Sequence, residues 1–141
     1  MDKWKYYDIR HKRHLLCNPM NKEKFERLCK LLRLSPKARV LDIACGKGEF
    51  LIRLAELYNI SGVGVDISPY CISDCLRKRQ NRVPNSNIEF IEMDGAKYEP
   101  ETPPQTPIFL LFLHVRVKSF YRASQTDRNL MLKGEFRKCA L

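Results

Sequence analysis

Val40-Leu41-Asp42-Ile43-Ala44-Cys45-Gly46-Lys47-Gly48-Glu49-Phe50 changes character twice within a few residues. The run up to Ala44 is short and apolar, as expected of a parallel strand whose two faces are both covered. Glycines follow at once, and over 49–58 the period becomes helical, with Phe50, Leu54 and Tyr58 on one row and Leu51 and Ala55 beside it. A strand that passes through glycines into a helix brings its backbone close to a ligand. It also leaves N–H groups at the helix start for an anion.

The same unit recurs downstream. Ser61-Gly62-Val63-Gly64-Val65-Asp66-Ile67 reads as a second strand ending in an acid. Ser68-Pro69 then caps a helix with Ile72, Cys75 and Leu76 facing inward and Arg77, Lys78 and Arg79 near its C-terminus, where cations suit the helix dipole. After a turn at 85–87, Ile88-Glu89-Phe90-Ile91-Glu92-Met93 reads as a third strand, again followed by an acid in Asp94-Gly95. Upstream, Asn18-Pro19 has the form of a helix start, and Phe25, Leu28, Cys29 and Leu32 share one face of a helix ended by Ser35-Pro36. This alternation predicts a parallel sheet with right-handed crossovers.

Asp42, Asp66 and Asp94 therefore lie at the carboxyl ends of three successive strands, the edge at which open parallel sheets bind ligands. Asp66 follows Gly46 by 20 residues, the reach of a carboxylate that accepts from a ribose diol. A dinucleotide fingerprint started at Gly46 demands glycine at position 51, where Leu51 stands. That bulk, with Asp42 placed ahead of the loop, argues against a dinucleotide.

The stretch 40–50 resembles the first motif of class I S-adenosylmethionine-dependent methyltransferases. Val63-Gly64-Val65-Asp66-Ile67-Ser68 is similar to their second, and Ile91-Glu92-Met93-Asp94-Gly95-Ala96 to their third, so that the resemblance covers roughly residues 35–98. It implies an α/β fold, a Rossmann-like parallel sheet with flanking helices, and S-adenosylmethionine as cofactor. It also implies a site in which the 44–48 loop (Ala44, Cys45, Gly46 and Gly48) wraps the cofactor's amino-acid part. Asp42 orients that loop and, through water, the ammonium; Asp66 holds the ribose hydroxyls; Asp94 takes the adenine amine; Ile67 and Gly95 adjoin these acids. One departure is Ala44, where the widest consensus has glycine. The implied reaction is methyl transfer to a small-molecule acceptor. Because the sulfonium already activates the methyl group, the protein's part is positioning and exclusion of water, a contribution of up to roughly 7–11 kcal/mol. No catalytic base is assigned.

The family sheet has seven strands in the order 3-2-1-4-5-7-6, and here only three are clear. Pro100, Pro103, Pro104 and Pro107 interrupt the pattern, 108–117 is a doubtful fourth strand, and no glycine falls between Gly95 and Gly134. The expected organisation is a basic segment with an amphipathic helix over 1–34, the cofactor-binding core over 35–99, and a Pro-rich linker with a divergent tail over 100–141, the C-terminal strands being missing or divergent. The alternative to an enzyme is a truncated, non-catalytic cofactor-binding fragment.

The remaining features set limits. The net charge of +10 is uneven: ten Lys/Arg against four Asp/Glu over 1–34, nine against nine over 35–100, and seven against three over 101–141. Mixed with acids and lacking an aromatic-basic motif, the basic ends read as solvated faces, and nucleic acid ranks behind a small-molecule acceptor. Six cysteines without framework spacing are expected as free thiols. No metal is expected, since Cys71 and Cys75 lack a second pair. Cys45 reads as a small loop residue because no histidine lies near it in sequence, and Lys47 as solvent-facing. Tyr6, Tyr7, His11 and His14 precede the fold, either as part of a segment that covers the site or as a decorated end. The longest apolar run, 108–115, is broken by His114, and the opening residues lack the apolar core of a secretory signal, so no membrane span is expected and the default compartment is the cytoplasm.

Overall fold

The computed structural model describes residues 3–11, 20–99 and 108–109. The elements are α1 (Lys3–His11), α2 (Lys22–Leu31), β1 (Arg39–Ile43), α3 (Glu49–Tyr58), β2 (Ser61–Asp66), α4 (Pro69–Arg82), β3 (Asn87–Glu92), a 3-10 turn (Gly95–Lys97) and β4 (Ile108–Phe109). The four strands form one parallel sheet in the order β3-β2-β1-β4. This is the parallel sheet expected from the alternation and the α/β, Rossmann-like arrangement that the resemblance implies, in the first four places of the order quoted above. Strand order reverses between β1 and β4, and sheets of this kind bind ligands at that point.

One face of the sheet carries the larger core. Phe25 and Cys29 of α2, the apolar row of α3, and Ile72 and Cys75 of α4 close over Val40, Ile88 and Phe90. The Phe25 and Phe50 rings meet edge to face at 5.8 Å. The α3 hydroxyl of Tyr58 donates to the carbonyls of Cys29 and Lys30 at 3.0 and 3.2 Å, satisfying acceptors at the end of α2 that the helix itself leaves open. Leu41, Ile43 and Val65 project to the opposite face, joined by Val63 and Tyr98.

The bulk at position 51 has a structural answer. Leu51 is fully buried, and a Cβ built on Gly62 would lie 2.9 Å from its Cδ1 and 2.6 Å from the carbonyl oxygen of Val40. The close approach of helix to sheet is thus obtained with glycine on β2, not on the helix.

Several expectations need correction. α2 starts at Lys22, capped by Asn21, whose Oδ1 accepts from the N–H of Lys24 at 2.9 Å. The chain supplies a second Asn three residues after Asn18, and Asn18 and Pro19 lie outside the described residues. Leu76 is 49% exposed, because Cys71, Ile72 and Cys75 form the buried row of α4 and leave it off to one side. The opening residues include a helix, α1, which packs against α4; Tyr6 on it is exposed. His14 and most of the 100–141 stretch lie outside the described residues, but β4 pairs in parallel with β1, Val40 opposite Ile108 and Leu41 opposite Phe109, within the stretch read as a candidate fourth strand.

Candidate functional site

The site begins where β1 and β2 end. Asp42 stands opposite Gly64 in the register, and the chain then leaves β1 through a turn over 44–48 that is not helical. Three of its residues have left-handed backbones: Ala44 at φ 61°, Gly46 at 53° and Gly48 at 67°. Glycine is at ease there and alanine is strained.

The loop is fixed from two sides. In front, Asp66 at the end of β2 accepts from the N–H of Gly46 through Oδ2 at 2.8 Å and from the N–H of Ser68 through Oδ1 at 2.9 Å. Burial raises the Asp66 carboxyl above its usual range, and these backbone hydrogen bonds oppose the rise. Behind, α4 supplies three attachments: the Cys75 thiol donates to the Gly46 carbonyl at 3.2 Å, Lys78 Nζ donates to the Lys47 carbonyl at 3.2 Å, and Lys47 Nζ pairs with Asp74 at 3.6 Å. Lys47 is therefore not solvent-facing as expected; it is 6% exposed, because α4 covers its stem and Asp74 takes its charge. The cluster continues through Glu49, buried at the first turn of α3 and paired with Lys78 and Arg82 at 3.0 and 2.6 Å.

Gly48 and Gly64 serve the interior. A Cβ on either would collide with the Phe90 ring at 2.7 Å, and one on Gly48 with the Cys75 sulfur as well. Phe90 thus crosses β2 and props the loop from beneath, a role that a single sequence does not show. The same is true of Asp74, Cys75 and Lys78: periodicity turns Cys75 inward, but nothing in the sequence says which carbonyl it meets.

Asp42 is a buried acid at the end of β1. It is 1% exposed, and its Oδ1 has no hydrogen-bond partner. Burial and, after it, the Asp66 charge push its carboxyl well above the ordinary range. A buried polar atom left without a partner is costly and calls for an explanation, and a ligand that supplies a donor or a positive charge is one.

The structure brings Asp42, the 44–48 loop and Asp66 together. Asp94 lies two residues beyond β3, on the neighbouring strand end; the N–H of Met93 donates to the Asp66 carbonyl at 3.0 Å and ties the two ends to each other. Asp94 Oδ1 is occupied as the cap of the 3-10 turn, accepting from the N–H of Ala96 at 3.0 Å. Gly95 comes close to β1: a Cβ there would lie 2.6 Å from the Ile43 side chain. Ile67, the residue after β2, is 46% exposed.

Cys29, Cys71 and Cys75 are buried, Cys45 is half-buried, and all four are free thiols, as expected; Cys17 and Cys139 lie outside the described residues. A hydrogen bond to Cys75, then burial, raises the Cys45 thiol well above its usual range, so it is a poor nucleophile. Among the described residues no group of His, Cys, Asp and Glu has the arrangement of a metal site, and no helix is long and apolar enough to cross a membrane.

Residues 40–128 match the family described as methyltransferase domain, a match that runs about thirty residues beyond the third motif. The chain is 32% identical over 98 residues to YjhP, an uncharacterized protein of Escherichia coli K12, covering 70% of this chain and 40% of that protein. Among solved structures it is similar to an S-adenosylmethionine-dependent methyltransferase of Thiobacillus denitrificans in complex with S-adenosylhomocysteine. That likeness has a TM-score of 0.70 at 30% identity and covers 78% of this chain and 44% of the other. A second such enzyme, from Geobacter sulfurreducens and also in complex with S-adenosylhomocysteine, gives a TM-score of 0.69 at 27% identity, with 77% and 43% covered. The chain spans less than half the length of each of these three proteins.

Proposed function

The chain belongs to the methyltransferase domain family, and from that premise we propose that it binds S-adenosylmethionine and transfers its methyl group to a small-molecule acceptor. The observation that carries this reading is the buried, unpartnered Asp42 beside a loop already fastened by Asp66 and α4. The residues suit the cofactor's chemistry: a cationic amino-acid end matches the orphaned carboxylate, and Asp66, whose two oxygens accept from backbone N–H groups, keeps lone pairs for a ribose diol. Asp94 is assigned to the adenine amine, with Ile67 and Gly95 beside the base. Ala44, Cys45, Gly46 and Gly48 line the amino-acid end.

When bound, the cofactor supplies an electrophilic methyl group on positive sulfur. This chain's residues bind and orient it: the loop fixes one end, Asp66 the middle, and the β3 end the other. The family match running to residue 128 favours an enzyme over a non-catalytic fragment. Four unbridged thiols fit the reducing interior of a cell, and we assign the protein to the cytoplasm.

The test has two stages. Calorimetric titration with S-adenosylhomocysteine is expected to show saturable binding to the full chain. Labelled S-adenosylmethionine offered with a panel of small-molecule acceptors is then expected to give a labelled product. Absence of binding removes the cofactor assignment; binding without transfer to any acceptor, small-molecule or RNA, leaves the fragment reading in its place.

A further inference from the structure

We propose that Asp42 is a neutral carboxylic acid in the ligand-free protein and that cofactor binding expels its proton, coupling occupancy of the site to pH. The proposal rests on the S-adenosylmethionine reading above and deepens it.

A carboxylate needs donors or a cation to remain charged away from water. Asp42 is 1% exposed, and no donor among the described residues reaches its Oδ1. The neighbouring charge is of the same sign: Asp66 has its two oxygens anchored by the N–H groups of Gly46 and Ser68 at 2.8 and 2.9 Å, hydrogen bonds that favour its ionised form. Two carboxyl groups so placed divide the labour, one charged and one neutral. The cations nearby are committed elsewhere. Lys47 turns to Asp74 on α4, and Lys78 to Glu49 at the start of α3. From the loop, the Cys45 thiol beside Asp42 is kept protonated by its hydrogen bond to Cys75 and then by burial, and the described residues of β4 include no titratable one. Burial first, and Asp66 second, raise the Asp42 carboxyl in agreement with this geometry.

The exchange balances simply. The empty site holds Asp42 as COOH. A ligand ammonium arriving with its positive charge stabilises COO⁻, and the displaced proton passes to the buffer. No covalent bond other than O–H is broken.

The experiment titrates S-adenosylhomocysteine, which carries the ammonium without the sulfonium, into the full chain near neutral pH in two buffers of very different ionisation enthalpy, phosphate and Tris. Release of about one proton per ligand is expected, as a buffer-dependent binding enthalpy and as affinity that tightens up to about tenfold for each unit by which pH rises, at pH below the midpoint of ligand-free Asp42. In Asp42→Asn the buffer dependence is expected to vanish. Equal enthalpies in both buffers overturn the proposal while leaving the cofactor reading intact, and so does proton release that persists in Asp42→Asn. No binding in either buffer removes the cofactor reading instead. The carboxyl carbon resonance of Asp42, followed by NMR against pH in the ligand-free chain, then decides its protonation independently: a midpoint in the ordinary carboxylate range overturns the proposal, and one well above it supports it.

Discussion

At the scale of single residues, the loop carries a cost that the sequence announced and a charge arrangement that it did not. Ala44 stands where the resembled family has glycine, and its φ of 61° shows why glycine is preferred there. Ala44→Gly is expected to stabilise the protein by on the order of 0.5 kcal/mol, the relief of left-handed strain less the added freedom of the unfolded chain; thermal unfolding measures it. Asp66→Ala removes both the anchor of the Gly46 N–H and the group assigned to the ribose. It is expected to weaken S-adenosylhomocysteine binding by about 1 to 3 kcal/mol, and unchanged affinity by calorimetry would contradict the ribose assignment. Asp42 and Asp66 were legible as site candidates because they stand with Asp94 at three successive strand ends beside a glycine-rich loop; one such acid alone is as readily a helix cap. That Asp42 is wholly buried was not legible, since it depends on what α3 and the loop do above it. Lys47 was misread for a similar reason: its partner Asp74 is distant in sequence, and only the docking of α4 brings the two together.

At the scale of elements, periodicity located α3, β2 and the Ser68 cap of α4 correctly, because each has its signal in adjacent residues. It misplaced the start of α2, where two asparagines compete as caps and only geometry chooses between them. The docking of α2 onto α3 relies on the Tyr58 hydroxyl, which serves two carbonyls at once. Tyr58→Phe leaves the ring in place and strips both acceptors, so a loss of about 0.5 to 1.5 kcal/mol is expected by denaturant unfolding. A larger loss is expected for Gly62→Ala, whose new methyl group would press on the backbone of β1, an atom that cannot move aside: roughly 1 to 3 kcal/mol. Leu51→Ala does not offset the whole of this, because it frees the side-chain contact and leaves the Val40 carbonyl in the way.

At the scale of the molecule, two opposing groups shape stability against pH. Glu56, held below its ordinary range chiefly by its hydrogen bond to Arg82, contributes stability that is present above the unfolded value and lost as pH falls through the folded one. Asp42 acts the other way. Its folded value is raised, so the native state retains a proton that the unfolded chain releases, and stability declines as pH climbs from the ordinary value of 3.8 toward the raised one. In the ligand-free protein, Asp42→Asn is expected to raise the melting temperature at neutral pH and to lose that advantage near pH 3, which a set of thermal scans across pH will show. The parallel sheet was legible because alternation at this spacing leaves few topologies open, and its strand order came with the family resemblance; the tail was not legible, because its prolines and missing glycines give no period to read.

The three attachments behind the loop have a further consequence, since they come from a helix that belongs to the next crossover, not to the loop's own. The shape of the loop is consequently leased from a distant part of the chain. Arg82 on the far flank of α4 pairs with the same Glu49 that Lys78 holds, so the start of α3, the back of the loop and the end of α4 stand on one chain of charges.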